Sequence, residues 1–284
     1  IFNSIIVEYK NITIIVEQNQ TTMIKIVTLF TYFVLLTTIS FAQKLEVNYQ
    51  ETTDINVDEL KKNMKVETSG SVNLPKDFYD NMFKSMSEPK DYTLTIYDNT
   101  STYKKVEKLS NGQGGGGFSM SVSFSGGGNG IVKDLSKKEY SKSANLMDKS
   151  YLIKDKLTEY KWQLTRETKK LIGFDVKKAT AVVDSTKSVI AWYAPNIAVK
   201  DGPSMYNGLP GLILEMEIIN TSKSDKKSFG NTTIRATEVK EVPDMKPIEK
   251  PKEKNVITEK EYKGLSKKEM ERFKEMRSEG VSKD

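Results

Sequence analysis

Glu215 and Glu217 are the two residues whose type and spacing could best perform chemistry in this sequence. Residues two apart in a strand project to the same face, which places these carboxylates about 7 Å apart. Paired carboxylates can hydrolyse a glycosidic bond or bind a hard metal cation. On an amphipathic strand the same pair more often belongs to the solvated face, and we favour that interpretation here.

The residue types that the chain lacks exclude most other chemistry. Its 284 residues include no histidine and no cysteine, which rules out a disulfide, a thiolate nucleophile, a zinc finger and a histidine general base. A serine–lysine pair stays open, because the chain holds many of both, but no spacing singles one out. We therefore predict no catalytic residue, no cofactor and no metal ligand, and we favour a protein that is not an enzyme.

Composition and charge argue against a membrane bundle and against a nucleic-acid partner. Charged residues make up 29% of the chain and apolar residues 37%, which is typical of a soluble globular protein. The formal net charge of +6 is mild. The basic residues are spread along the chain, without an arginine-rich stripe interleaved with aromatic residues, so we do not expect nucleic-acid binding.

The first methionine of the chain, Met23, begins a pattern typical of secretion signals. Lys25 supplies a basic start, and the apolar run over residues 26–39 is shorter than the roughly 20 residues that span a bilayer. Small residues follow, ending at Ala42. The pattern predicts a signal peptide from Met23 to Ala42 that is cleaved before Gln43. A buried core helix is the competing interpretation.

Export sets the expected location of the mature protein. We interpret residues 1–22 as upstream read-through and expect the mature chain to begin at Gln43. It would then be periplasmic, associated with the outer membrane or secreted, without a transmembrane segment. No cysteine follows the cleavage site to carry a lipid anchor.

Alternating apolar residues between turn residues predict the fold of residues 43–242. The pattern favours a mainly β domain, built as a curved antiparallel sheet or half-barrel with one or two small helices packed on it. The predicted strands are Leu45–Tyr49, Tyr92–Ile96, Tyr160–Leu164, Val176–Val183, Val189–Tyr193, Leu212–Ile219 and Thr232–Val242.

Two segments depart from this strand pattern. Tyr79, Met82, Phe83 and Met86 recur at helical spacing, which predicts a short helix packed on the sheet rather than a methionine-lined pocket. Residues 112–130 hold two glycine clusters around an alternating strand. We interpret them as a mobile hairpin insertion, since a dinucleotide-binding glycine motif would open a helix instead.

The composition changes at residue 243. Residues 243–284 are rich in both charges, and we interpret them as a linker and a helical tail. The helix is predicted to start at the capping box Ser266–Glu269, followed by Met270, Phe273 and Met276. We favour a solvated tail, although docking on the domain or binding of a partner stays open.

A run of turn residues precedes the strand that carries the two glutamates. Asp201-Gly202-Pro203 predicts one turn and Asn207-Gly208 another. Pro210 lacks a backbone donor, so strand pairing is expected to begin after it. Gly211 would admit a close neighbour, for which we suggest the ring of Trp192. That tryptophan and Tyr193 could instead form an aromatic wall for a ligand, but we favour a role in the core.

These residues resemble the signature of the GLPGLI family of exported Bacteroidota proteins. The resemblance covers residues 151–219 firmly and 43–242 more loosely, and Val176 stands where many members of that family carry a cysteine. It implies an exported β domain of unestablished activity, without catalytic residues, near outer-membrane TonB-dependent proteins. The motif residues that match are Trp192, Gly202, Pro203, Gly208, Leu209, Pro210, Gly211, Leu212 and Ile213.

Three functional hypotheses follow from the sequence. The favoured one is a non-enzymatic binding or accessory protein of the cell envelope, with a partner such as a TonB-dependent protein. The second is a carboxylate-based hydrolase or metal-dependent enzyme. The third is a periplasmic carrier that holds an apolar ligand in a concave sheet, which is an analogy at the level of fold.

Overall fold

One curved sheet of 12 strands dominates the computed structural model. The structure describes Met23 and residues 44–56, 83–107, 130–221 and 228–279, and all of these except Met23 fall in the compact unit Gln43–Asp284. The predicted signal peptide and its cleavage site, the residues Tyr79 and Met82, most of the glycine-rich segment and the chain end lie outside the described residues. Residues 83–87 are helical.

The sheet consists of two runs of strands, each in chain order, which meet where the first strand of the chain pairs with the eleventh. The strand order is β12-β6-β5-β4-β3-β2-β1-β11-β10-β9-β8-β7, and every pair is antiparallel except β12 with β6. The strands are β1 (Lys44–Ile55), β2 (Lys90–Tyr97), β3 (Thr100–Lys105), β4 (Ile131–Asp134), β5 (Glu139–Leu146), β6 (Lys149–Lys156), β7 (Gln163–Leu171), β8 (Phe174–Asp184), β9 (Lys187–Ala194), β10 (Leu212–Thr221), β11 (Ser228–Glu241) and β12 (Val256–Ile257).

The predicted fold class is confirmed, and the alternation of apolar residues explains why. Val47 and Leu94 pair across β1 and β2, and both are fully buried. Along each strand, the residues that alternate with these buried positions are partly exposed. One face of the sheet is therefore shielded from water. We call this dry side the inner face and the opposite side the outer face. The strand predicted at Tyr160–Leu164 begins later, because Tyr160 and Trp162 pack on the core from the preceding loop.

A long loop between β9 and β10 packs on the inner face. This segment, residues 195–211, is called the motif loop below. It contributes Ile197, Val199, Tyr206 and Leu209 to the same apolar cluster as the inner residues of β1, β2 and β8–β11. A second cluster, built around Ile131, Tyr140, Ile153 and Leu157, lies on β4–β6 and the loop after β6. The motif loop therefore acts as a layer of the core.

The C-terminal helix (Glu259–Glu279) starts earlier than predicted. Its capping box is Thr258–Glu261: the Thr258 hydroxyl accepts from the Glu261 N–H (3.2 Å), and the Glu261 carboxylate accepts from the Thr258 N–H (2.7 Å). Ile257 and Tyr262 occupy the positions of a hydrophobic staple and both pack on the second cluster. Ser266, where the helix was predicted to begin, therefore lies inside it. Within the described ranges, no helix has the length and apolarity to cross a bilayer.

Gly211 packs against backbone rather than against the ring of Trp192, so that expectation is wrong. The Gly211 N–H donates to the carbonyl of Leu209 (2.8 Å), which forms a three-residue turn centred on Pro210. The φ angle of Gly211 is 154°, and a Cβ there would lie 2.3 Å from the carbonyl oxygen of Ala194. As predicted, the strand after Pro210 begins only at Leu212.

We expect Gly211→Ala to destabilise the domain by roughly 3 kcal/mol, because the added methyl group would overlap the backbone of Ala194. Gly173→Ala is the matched control, since Gly173 also has a positive φ of 87° but nothing lies within 4 Å of its Cβ position. Its cost should be about 1 kcal/mol. Urea unfolding followed by tryptophan fluorescence measures both, and equal costs would contradict the packing role.

Candidate functional site

Part of the predicted motif is brought together, and this part belongs to the core. Leu209, Leu212 and Ile213 are fully buried, and Pro203 is buried as well. A Cβ at Gly202 would lie 2.7 Å from the side chain of Ile213, so the glycine makes room for that isoleucine. The motif therefore has a packing role in the structure.

The exposed part of the motif is tied to the strand edge by Trp162. The Trp162 indole N–H donates to the carbonyl of Asn207 (2.9 Å), and Gly208, with a φ of 92°, turns the chain beside it. Gly208 and Pro210 are exposed. The predicted Asn207-Gly208 turn is thus a surface corner of the motif loop.

A buried ion pair connects the motif loop to β4. The Lys133 ammonium donates to Asp201 Oδ1 (2.6 Å) and to the carbonyl of Gly202 (2.7 Å), and both charged side chains are fully buried. Burial lowers the pKa of Lys133, and Asp201 opposes this by favouring the charged ammonium. Asp201 Oδ2 has no hydrogen-bond partner among the described residues.

This pair was missed by sequence reasoning, although the sequence carries a signal for it. In β4 the buried positions are Ile131 and Lys133, so the lysine occupies an apolar position of an alternating strand. A lysine there requires a buried anion, and Asp201 in the predicted turn supplies it. The turn residue is therefore half of an ion pair.

Tyr49 on β1 holds the start of β10, directly after the motif loop. Its hydroxyl donates to the carbonyl of Ile213 (2.5 Å). Burial raises the pKa of Tyr49, and the nearby Asp201 raises it further, so the phenol stays a neutral donor. Together Tyr49 and Lys133 hold the loop from two different strands.

Glu215 is buried, so the prediction that it belongs to a solvated face is wrong. It pairs through Oε1 with Lys169 (2.5 Å) and through Oε2 with Arg235 (2.5 Å), and its side chain is 9% exposed. A register shift between Ile213 and Glu215 accompanies this placement. Glu217 accepts from the Asn231 amide (3.4 Å). Both oxygens of Glu215 are held by cations, which leaves neither of them free to bind a metal.

Trp192 and Tyr193 point to opposite faces, so they form no common aromatic wall. Tyr193 is buried in the inner core. Trp192 lies on the outer face, in register with Glu215, and the ammonium groups of Lys169 and Lys178 lie 4.2 Å and 6.0 Å from its ring centre. The ring is thus a cation–π partner. Within the described ranges, no three acidic side chains gather in a way that could hold a metal ion.

The C-terminal segment docks at the edge of β6. Val256 and Ile257 pair in parallel with Leu152 and Ile153. The Leu152 N–H donates to the carbonyl of Asn255 (3.2 Å), and the Asn255 side-chain amide donates to the carbonyl of Ser150 (3.0 Å). The expectation of a solvated tail is therefore wrong for this segment.

Ionic contacts fasten the same segment on both sides of β12. Glu259 accepts from the hydroxyl of Tyr140 (3.0 Å) and pairs with Lys142 (2.9 Å). Lys250 pairs with Asp134 (3.0 Å), and the Tyr262 hydroxyl donates to the carbonyl of Asn145 (3.0 Å). Sequence reasoning missed this docking because the linker shows no apolar periodicity.

Comparison with known proteins gives one family model, and it is not the GLPGLI model. The model described as "N-glycanase peptide, N-terminal domain" matches residues 129–266, slightly less than half of the chain. A search of curated proteins finds no match. The GLPGLI resemblance accordingly stays a prediction.

Solved structures resemble the chain at low identity. PNGF-II in a C2 crystal is 19% identical over 79% of this chain and 33% of that one, with a TM-score of 0.46. The same protein in a P21 crystal is 20% identical over 72% of this chain and 29% of that one, with a TM-score of 0.40. The LolA superfamily protein NE2245 from Nitrosomonas europaea is 10% identical over 72% of this chain and 89% of that one, with a TM-score of 0.29. The chain spans about a third of the length of PNGF-II.

Lys133→Met should destabilise the domain by about 3–5 kcal/mol, because it leaves Asp201 as a buried charge without a cation. Adding Asp201→Asn should restore a large part of the loss, which a double-mutant cycle in urea measures. Lys138→Met is the control, since its ion pair with Glu159 is highly exposed, and it should leave the unfolding midpoint unchanged. If Lys133→Met behaves like this control, the buried pair does not hold the loop.

Docking of the C-terminal segment should weaken in acid. Burial raises the pKa of Asp134, but hydrogen bonds from Ser136 and Lys250 outweigh this and hold it at about 2. Burial likewise opposes the lowered pKa of Glu259, which Lys142, Tyr140 and Lys263 produce. Both pKa values lie below those of the unfolded chain, so these contacts stabilise docking above about pH 4 and are lost as the pH falls further.

Amide hydrogen exchange tests this pH dependence. The protection of the Leu152 N–H should fall between about pH 4 and 2. Glu259→Gln should flatten the profile, whereas Glu159→Gln, at an exposed pair that does not involve the segment, should not. Constant protection of Leu152 across this range would contradict the ionic contribution to docking.

Proposed function

We propose that the chain is an exported, non-enzymatic binding or accessory protein of the cell envelope, which holds a partner protein on the outer face of its sheet. The observation that carries this proposal is the motif loop, which packs on the inner face and is held there by the buried pair of Lys133 and Asp201. With that part of the inner face covered, the outer face is the large surface left for recognition.

The covered inner face weighs against the carrier hypothesis. An apolar ligand on β1 or β8–β11 would have to displace Leu209, which is fully buried, together with the motif loop that contains it. It would also have to separate a buried ion pair, which leaves two uncompensated charges. The cleft beside β12 suits an apolar ligand poorly, because the charged residues Glu139, Lys154, Asp155, Lys156 and Glu261 line it together with Val256, Ile257 and Thr258.

The hydrolase hypothesis is weakened by the fate of the two glutamates. The oxygens of Glu215 are occupied by Lys169 and Arg235, and Glu217 accepts from Asn231. Acid–base catalysis needs a carboxyl group that can exchange a proton with the substrate. By analogy with a family model described as the N-terminal domain of an N-glycanase peptide, an accessory role beside an enzyme is one form that our proposal takes.

The outer face offers both apolar and charged groups to a partner. Val182 on β8 is 75% exposed. It lies opposite Ser188 on β9, which in turn lies opposite the half-buried Ile219 on β10. The charged cluster of Trp192, Lys169, Lys178, Glu215 and Arg235 lies on the same face. Protein interfaces commonly combine apolar and charged groups in this way. A TonB-dependent partner stays a prediction from the family resemblance.

A pull-down from solubilised envelopes tests the proposal. The wild-type chain should enrich a partner protein, and Val182→Asp should lower that enrichment about tenfold, because a charge would be buried in the interface. Met147→Asp is the matched control: Met147 is 66% exposed in the turn between β5 and β6, away from the outer-face cluster. It should leave the enrichment unchanged.

Three results would contradict the proposal. One is equal enrichment by wild type and Val182→Asp. Another is stoichiometric binding of a fluorescent fatty acid by the folded chain, which would support the carrier. The last is turnover of a glycopeptide that Glu217→Gln abolishes, which would establish the hydrolase.

A further inference from the structure

We propose that the edge of β6 is a peptide-binding site, and that residues 253–262 occupy it as an intramolecular ligand which a partner peptide of the same pattern displaces. This inference rests on the proposed binding function and places a second contact away from the outer-face cluster. It is motivated by the pairing of β12 with β6, the parallel edge of an otherwise antiparallel sheet. Addition of an extended segment to a sheet edge is a common mode of peptide recognition.

The site recognises the backbone of its ligand over a short stretch. The Leu152 N–H donates to the carbonyl of Asn255, and the pairing continues through Val256 and Ile257. Val256 is 44% exposed, whereas Ile257 packs on the second cluster, beside Tyr140 and Ile153. The site therefore requires one apolar residue that points inward and tolerates variation at the residue before it.

An acid two residues after that apolar residue gives the site its second requirement. Glu259 reaches both the hydroxyl of Tyr140 and the ammonium of Lys142, and its N–H donates to the carboxylate of Asp155 (3.1 Å). The side chains of Lys142 and Glu259 are largely shielded from solvent, with exposed fractions of 20% and 25%. Charge and register together favour an acid at this position over a neutral residue.

The ligand ends in the first turn of a helix with an aromatic residue. Thr258 and Glu261 cap that turn, and Tyr262 donates to the carbonyl of Asn145 and meets the ring of Tyr151 edge-on at 6.2 Å. The full pattern is an apolar residue, a hydroxyl residue, an acid and, three residues beyond the acid, an aromatic residue. We expect partner peptides to share it.

Displacement is feasible because the strand pairing at the site is short. Only two residues of β12 pair with β6. The side chains of the neighbouring Lys154–Glu253 ion pair are 43% and 65% exposed, so this ion pair contributes little to the stability of docking. The preceding residues 242–252 form no strand or helix, so an irregular linker connects the segment to β11. The occupied site nevertheless lowers the apparent affinity for a second peptide, because only the open fraction of molecules binds it.

The test uses the full-length chain and a labelled synthetic peptide that spans residues 250–265. Ile257→Asp in the chain should release its own segment, and the chain should then bind the peptide at least about tenfold more tightly than wild type does. Leu265→Asp is the matched control: this residue is 37% exposed on the same helix, and the change should leave the weak wild-type affinity unchanged. Fluorescence anisotropy measures the three affinities.

A charge exchange provides a second variant in case Ile257→Asp does not fold. Lys142→Glu should repel Glu259 of its own chain and release the segment. It should then bind a peptide carrying Glu259→Lys in preference to the natural peptide, whereas wild type should show the reverse preference. Preference of both proteins for the same peptide would overturn the assignment of Glu259.

Amide exchange at Leu152 reports where the peptide binds. The N–H should be protected in wild type, exposed in the folded Ile257→Asp variant and protected again when the peptide is added. A folded variant that binds no more tightly than wild type, or binds without protecting Leu152, overturns the proposal. Val182→Asp should leave the peptide affinity unchanged, so failure of this site and failure of the outer-face proposal can be told apart.

Discussion

The buried contact between Lys133 and Asp201 is the interaction on which the rest of the structure depends. An ammonium and a carboxylate are removed from water, which is costly unless each finds a partner. Lys133, the cation on β4 that faces the core, thereby fixes the motif loop, which carries the fully buried Leu209 and leads into Leu212 and Ile213 of β10. The pair selects one position of that loop over the many that apolar packing alone would allow.

Where one face of a strand is apolar and the other polar, the sequence predicted the strand correctly, as at β1 with Val47 and Tyr49. The strands β3 and β4 were missed because polar residues occupy some of their inward positions, with Ser101 and Lys133 fully buried. The burial of Glu215 was missed because its cations, Lys169 and Arg235, lie on other strands and are distant in sequence. Ionic partners distant in sequence decide such positions, and a single sequence does not reveal them.

Two capping boxes show how tertiary contacts choose between equal local signals. Ser266 and Thr258 are each followed by a glutamate three residues later. The box at Thr258 begins the helix, since Ile257 and Tyr262 on either side of it find an apolar cluster to pack against. The box at Ser266 has no such support from its flanks. The helix start at Thr258 also determines the position of Glu259, because it places this residue in the first turn, where it pairs with Lys142.

The two edges of the sheet are protected in different ways, and this difference explains why the β6 edge suits peptide binding. β7 carries Arg166, Lys169 and Lys170, and its register shifts between Leu164 and Thr168, so charge and irregularity discourage pairing. β6 instead has Leu152 and Ile153 buried, and these two residues pair with Val256 and Ile257 of β12. An unprotected edge of this kind favours pairing with another strand. Binding of a partner there is therefore an exchange of one strand for another, in which the backbone of Leu152 keeps its acceptor before and after.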